Sequence, residues 1–308
     1  MASRFFPIPA GYFAMALGLA ALGLAWRLGG AAGLVPPLIG EGIALAALVL
    51  WFLLVGSYAG KWLYARDLAL AELTNVVQCC FISLIPITTM LMGIIVYPYA
   101  KVLAGVLLFV GIVGQLLFGA YRAAGLWRGT HSTEATTPIL YLPGVAGNFV
   151  AGAALGSVGS VEMGMLFFGA GVLSWFSIEA ALLHRLRTGT ALPPPMRAVM
   201  GIQLAPPFVG AATYLGLTGG TPDMIAYGMM GYGVVQGIFL LRLMPWVAEG
   251  GFSPSFWAYS FGLASMVTCG FRLMAHNLMP WMALSFVFIG TAGIALLVVL
   301  TLRFFARS

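Results

Sequence analysis

Residues 257–266, Trp-Ala-Tyr-Ser-Phe-Gly-Leu-Ala-Ser-Met, carry the most suggestive spacing in the chain. As a helix, this stretch puts Ala258, Phe261, Ser265 and Thr268 on one face, because residues three and four apart stack above one another. One bulky ring then stands among small side chains, two of them hydroxyls. Beside a pore, Phe261 would be the narrowest point; beside a neighbouring helix, it would be a packing knob. Reactive chemistry is not in view. No nucleophile and base pair, phosphate loop or redox motif is present, so neither catalysis nor a cofactor is expected. Cys79, Cys80 and Cys269 lie in apolar runs without a CxxC or Cys/His spacing, and His131 and His184 lack partners at metal spacing, so no metal site is expected. No nucleic-acid module is visible either.

What must position this face is a membrane fold. The chain of 308 residues is 61% hydrophobic and 7% charged, where a soluble domain carries roughly a quarter charged residues. A spanning helix needs about 20 mostly apolar residues. Ten runs of that kind are predicted, at 7–26, 39–60, 76–98, 102–121, 138–158, 161–182, 196–217, 224–246, 254–271 and 279–301. The strict alternation of a membrane barrel is missing. The result is an all-α integral membrane protein, one transmembrane domain over residues 1–308, built as five helical hairpins. With ten spans, 11 of the 14 Lys and Arg residues fall on the side of the N-terminus, and only Arg27, Lys101 and Arg272 on the other. The positive-inside rule then places both termini in the cytoplasm.

Proline separates the spans into two chemical kinds. Pro9, Pro86, Pro143 and Pro206 fall within or at the start of the first, third, fifth and seventh spans, whereas even spans have proline only at their ends. Proline removes a helical hydrogen bond and kinks the chain. Freed carbonyls are tolerated at membrane depth only where protein or water satisfies them. Odd spans are therefore expected inside and even spans outside. Stripes of small residues follow these prolines: Gly11, Ala14 and Gly18; Thr89 and Gly93; Gly144, Gly147 and Ala151; Gly210 and Thr213. Any one stripe alone reads as close helix packing. Their concentration with proline on alternate spans points to a small-lined inner ring. The glycines of the eighth span, Gly228, Gly231, Gly233 and Gly237, read as packing, including packing between subunits.

Ionisable groups are nearly absent from the span centres, where each costs about 2.5 to 3.5 kcal/mol to insert. Glu179 is expected to form a structural ion pair with Arg242 or Arg185 in place of a proton relay. Arg27, Glu162, Arg272 and His276 sit near the outer boundary and are assigned no chemistry. What remains is a conduit without acidic rings, whose available selection device is an apolar constriction. On the residues alone, a gated channel, an alternating-access transporter and a scaffold in which Phe261 simply packs all stay open.

Residues 84–93 (Leu-Ile-Pro-Ile-Thr-Thr-Met-Leu-Met-Gly), 166–171, 239–246 and 257–266 resemble, in order along the chain, the tellurite-resistance and dicarboxylate-transporter family. That family includes the bacterial TehA proteins and the plant guard-cell slow anion channel. The resemblance implies ten helices in five hairpins, an inner ring of odd-numbered helices around a central pore, and a homotrimer in the bacterial inner membrane. It also implies that Phe261 is the gate of a path for small anions such as chloride and nitrate, with the small stripes, Ala258 and Ser265 lining it. Malate and tellurite-related oxyanions are the alternative cargo. The chain departs from the family pattern at Ala16, where a second proline is expected in the first span.

Overall fold

The computed structural model describes residues 7–129 and 132–307. Arg4 and His131 lie outside them. Among the described residues all regular structure is helical: α1 (Phe13–Ala31), α2 (Pro37–Tyr64), α3 (Arg66–Thr74), α4 (Leu84–Val96), α5 (Lys101–Trp127), α6 (Gly147–Ser157), α7 (Val161–Thr188), α8 (Ala205–Leu217), α9 (Met224–Val247), α10 (Ser260–Ala275) and α11 (Pro280–Arg307). Apart from the short α3, the helices pack as consecutive pairs: α1 on α2, α4 on α5, α6 on α7, α8 on α9 and α10 on α11. Among the described residues nine helical segments are long and apolar enough to cross a membrane. The segment ending in α10 is more polar, diluted by Ser255, Tyr259, Ser260, Ser265, Thr268 and Arg272.

The first member of each pair lies inside. Helix α1 touches α4 and α10, α4 touches α6, α6 touches α8, and α8 touches α10, which closes a ring of five. Burial follows the same division. In the first, third and fifth apolar segments 67% of an 18-residue apolar stretch is buried, and in the seventh 94%, against 22–28% in the even segments and the last. The outer helices instead present Phe52, Phe109, Leu173 and Phe288 to the surroundings. Such faces suit lipid, because a helix satisfies its own backbone and leaves only side chains to be solvated by hydrocarbon.

Glycine sets the approach within the pairs. A Cβ on Gly152 of α6 would lie 3.0 Å from the Gly164 carbonyl of α7, and one on Gly164 2.9 Å from the Gly152 carbonyl. Gly233 of α9 faces the Phe208 ring of α8, so that glycine packs within the chain. At Gly40 of α2 a Cβ would meet the Arg27 backbone nitrogen at 2.5 Å, whereas Gly42 faces open space. Backbone cannot swing aside as a side chain can. Gly40→Ala is expected to destabilise the fold by about 1–3 kcal/mol, the usual range for overpacking, and Gly42→Ala to leave it within experimental error. Thermal unfolding of both variants in detergent checks this, and equal melting points would contradict the α1–α2 contact.

Each inner helix is entered through a differently wound segment. Tight 3-10 turns cover Ala10–Tyr12, Gln78–Ser83, Pro138–Leu140, Pro194–Leu204 and Pro254–Tyr259, and a π segment covers Leu142–Ala146. Runs of 3-10 helix longer than three or four residues are uncommon. Proline explains where they sit: Pro9 precedes the first turn, Pro86 and Pro206 stand in the first turns of α4 and α8, and Pro143 is inside the π segment. The four prolines thus mark changes of winding at the start of the inner helices. The Pro143 carbonyl accepts a hydrogen bond from Gln115 Nε2 at 2.8 Å, and Gly147 leaves the room that Gln115 needs. Helix α1 runs unbroken through the fully buried Ala16.

Candidate functional site

The five entry segments surround a cavity of about 160 Å³. Its mouth is set by Pro9, Gln78, Ile139, Pro195 and Pro254, one from each inner segment. Following each segment inward, the last lining residues are Leu17, Leu84, Phe149, Val209 and Phe261. The cavity therefore ends at a level of apolar side chains, with Phe261 only 6% exposed. No charged residue lines it among the described residues; its polar groups come from Tyr12, Gln78, Tyr141, Ser255 and Trp257. All five inner segments also begin at the mouth, and helix N-termini carry partial positive charge there.

The neighbours of α10 show which face is left for the interior. Gly262 packs on Leu204, and Cys269 Sγ lies 3.8 Å from the Phe208 carbonyl, so these face α8 and its entry. Ser260 Oγ donates to the Ala14 carbonyl at 3.3 Å and Phe271 fills the space beside Gly29, both on α1. Leu263, Val267 and Gly270 meet α11. Phe261, Ser265, Thr268 and Arg272 share a further face that makes none of these contacts, spaced four, three and four residues apart. That is one helical stripe.

Arg272 was assigned no chemistry from its position, yet it continues this stripe beyond Thr268. Its guanidinium lies against Gly220, where a Cβ would come within 2.2 Å of Nη1. Gly220 has φ +89°, so the turn itself also requires glycine there. Among the described residues no carboxylate pairs with Arg272 within ion-pair distance, and its Nε is buried without a hydrogen-bond partner. Asp223, on the same turn, is engaged elsewhere. It accepts from the Tyr214 hydroxyl and from the backbone N–H groups of Ala226 and Ile225, which hold its carboxyl below the usual range.

The small residues divide between two jobs. Gly11, Ala14 and Ala258 line the cavity with Phe261, Pro9 and Pro206. Others face neighbouring helices: Gly18 meets Ser260, Gly93 meets Leu108 of α5, Gly144 meets Ile178 of α7, and Gly147 meets Gln115. Gly210 lies between Phe149 and Met229, and Thr213 donates to the Phe149 carbonyl at 3.2 Å. Thr89, Ala151 and Ser265 are buried beyond the cavity's deep end.

Glu179 of α7 takes partners other than the expected arginines. It accepts from the hydroxyl of Tyr141, from Trp175 Nε1 at 2.9 Å and from the Tyr232 hydroxyl at 2.6 Å. The described ion pairs are Arg27–Glu41, Lys61–Glu72 and Arg197–Glu249, and Arg242 is exposed. Glu179 thus ties α7 to α9 through Tyr232 and holds Tyr141 in the cavity wall. Three neutral donors give both carboxylate oxygens a partner without a second charge in the membrane.

A second polar cluster anchors the mouth. Helix α3 folds back so that Glu72 accepts from the Ala10 N–H at 2.8 Å, capping the first inner segment. The other Glu72 oxygen accepts from Lys61 Nζ at 2.7 Å and from the Tyr58 hydroxyl at 3.3 Å, while Lys61 also donates to the Ile8 carbonyl at 3.2 Å.

A sequence profile of the voltage-dependent anion channel family, SLAC1, matches residues 7–307. The tellurite resistance protein TehA homolog of Haemophilus influenzae is 42% identical over 303 residues, which covers 96% of this chain and 90% of that protein. With a match of that length and a multi-pass helical fold, the chain belongs to the SLAC1 voltage-dependent anion channel family.

Proposed function

We propose that the protein is a gated channel for small monovalent anions such as chloride and nitrate, which pass along the axis of the inner ring and are stopped at Phe261. The observation that carries this reading is the uncharged cavity lined by all five inner segments and ending at Phe261. An apolar constriction blocks ions by excluding the water they travel with. The converging helix N-termini at the mouth and Arg272 on the continuation of the Phe261 stripe both favour negative charge. Gly11, Ala14, Ala258 and Ser265 line the path in this reading, and Gly18, Thr89, Gly93, Gly144, Gly147, Ala151, Gly210 and Thr213 give the inner helices their close approach. The termini face the cytoplasm of a bacterial inner membrane, and three copies assemble with one path in each.

Measuring current through purified protein in planar bilayers, under opposed chloride and cation gradients, tests the reading directly. A reversal potential that follows the anion gradient supports it, and one that follows the cation gradient overturns it. Arg272→Glu should lower anion current about thirtyfold in an open-gate background. That is the effect of roughly 2 kcal/mol, a change of two unit charges each worth about 1 kcal/mol across about 4 Å of water. Current unchanged by this reversal of charge removes Arg272 from the path.

The alternative is a transporter of malate or of a tellurium oxyanion, favoured by the name of the Haemophilus relative, a tellurite resistance protein. Concentrative uptake of labelled malate or tellurite into proteoliposomes, driven by a proton gradient, would select it. Flux that only follows the substrate's own gradient selects the channel.

A further inference from the structure

Outside the inner ring, α9 and α11 stand apart and leave a groove of about 890 Å³. Its sides are the outer-helix residues Gly237, Leu241, Ile289 and Leu296, and its floor is the inner-helix residues Leu263 and Met266. In a membrane such a space does not stay empty, because hydrocarbon on every side fills it. Besides Ser285, whose hydroxyl donates to the Trp281 carbonyl, two features along its length are polar. Tyr259 lines the floor toward the end where α9 and α11 finish; it is 8% exposed, and its hydroxyl is buried without a hydrogen-bond partner. At that same end, the lining stripe of α11 runs through Leu296 and Leu300 and is continued one turn later by Arg303. Arg242 of α9, one turn beyond the lining residue Ile238, is on the same half of the molecule. Both arginines are exposed and neither belongs to an ion pair among the described residues.

We propose that this groove holds an anionic phospholipid, with its phosphate at Arg303 and Arg242, an ester carbonyl accepting from the Tyr259 hydroxyl, and its acyl chains along Leu263, Met266 and Leu296. The order of chemistry along the groove, cation, then a lone donor, then hydrocarbon, is the order along a phospholipid. Long arginine side chains reach the headgroup level with their apolar stems on the protein. A second copy of this chain would bring a helix with no reason to place an acceptor at Tyr259. The lipid lies directly behind the gate helix, since Tyr259 and Leu263 flank Phe261 two residues away on either side. The binding itself does not depend on the channel reading.

Native mass spectrometry of delipidated protein, titrated with phosphatidylglycerol or phosphatidylcholine in detergent, tests the proposal. Phosphatidylglycerol is expected to bind at least fivefold more tightly than phosphatidylcholine. The exposed double variant Arg242→Gln/Arg303→Gln should abolish that preference while keeping the fold, and Tyr259→Phe should weaken both lipids severalfold. Gly237→Leu should block both, because a Cβ there meets only Leu204 at 3.8 Å and the longer side chain extends into the groove. Equal affinity for the two headgroups, or phosphatidylglycerol binding unaffected by both the arginine pair and Gly237→Leu, overturns it. So does a cysteine at Leu296 that cross-links to a second copy of the chain in native membranes.

Discussion

Phe261→Ala is expected to raise anion current at least tenfold over the wild-type protein, a change equivalent to about 1.4 kcal/mol off the barrier at the narrowest point. The ring is buried at the deep end of an otherwise uncharged cavity, on a stripe whose next members, Ser265 and Thr268, are small and hydroxylated. Once the ring is gone, water can reach those hydroxyls, and an ion no longer has to shed its shell against an apolar plug. Phe261→Leu should give a smaller increase, because it keeps an apolar side chain while shortening it. Truncating a fully packed phenylalanine costs about 3–5 kcal/mol. Phe261 borders a cavity on one side, so the loss here should fall at the low end of that range and the variant should remain folded. Bilayer recordings of the three proteins, each checked by thermal unfolding, give the ordering Ala above Leu above wild type. A folded Phe261→Ala protein with wild-type, near-zero current sinks the gate.

Much of this architecture is written in hydropathy and in proline. The runs between punctuating residues predict the helices, and the prolines on alternate spans predict which helices are inside, because a broken hydrogen-bond ladder must be sheltered from lipid. The path itself was only partly legible. Small residues serve a pore and a helix contact equally well, so spacing identified the stripe but not its neighbour: Gly11 and Ala14 line the cavity, while Gly93 and Gly147 receive Leu108 and Gln115. Leu17, Val209 and Phe149, which help close the cavity, look in sequence like ordinary core. Glu179 invited a charged partner, yet tyrosine hydroxyls and an indole N–H satisfy it at less desolvation cost. Arg272 could have been found, since it lies four residues past Thr268 on the stripe already drawn. Helix α3 could not: residues 61–72 fall between the second and third predicted spans, and nothing local signals that Glu72 bonds to a backbone group 62 positions away.

That last contact carries the largest stability prediction. Lys61 and Glu72 form an ion pair whose side chains are 6% and 7% exposed, and Glu72 also caps the first inner segment. Removing one charge from a buried pair strands the other and costs about 3–5 kcal/mol. Glu72→Gln still offers an oxygen to the Ala10 N–H but leaves Lys61 uncompensated, so a loss in that range is expected. Glu72→Leu should lose more, since the cap goes as well. The double variant Lys61→Met/Glu72→Leu removes both charges and should recover most of the ion-pair loss, because a buried pair contributes little net stability over an apolar replacement of similar volume. What it cannot recover are the hydrogen bonds to the Ala10 N–H, the Ile8 carbonyl and the Tyr58 hydroxyl, about 1 kcal/mol each. Chemical denaturation of wild type, Lys61→Met, Glu72→Leu and the double variant in one detergent gives the cycle, with Glu72→Gln measured beside them. If Glu72→Gln melts with the wild type, the pair is not anchoring the mouth, and if the double variant is no better than Glu72→Leu alone, the loss lies in the cap.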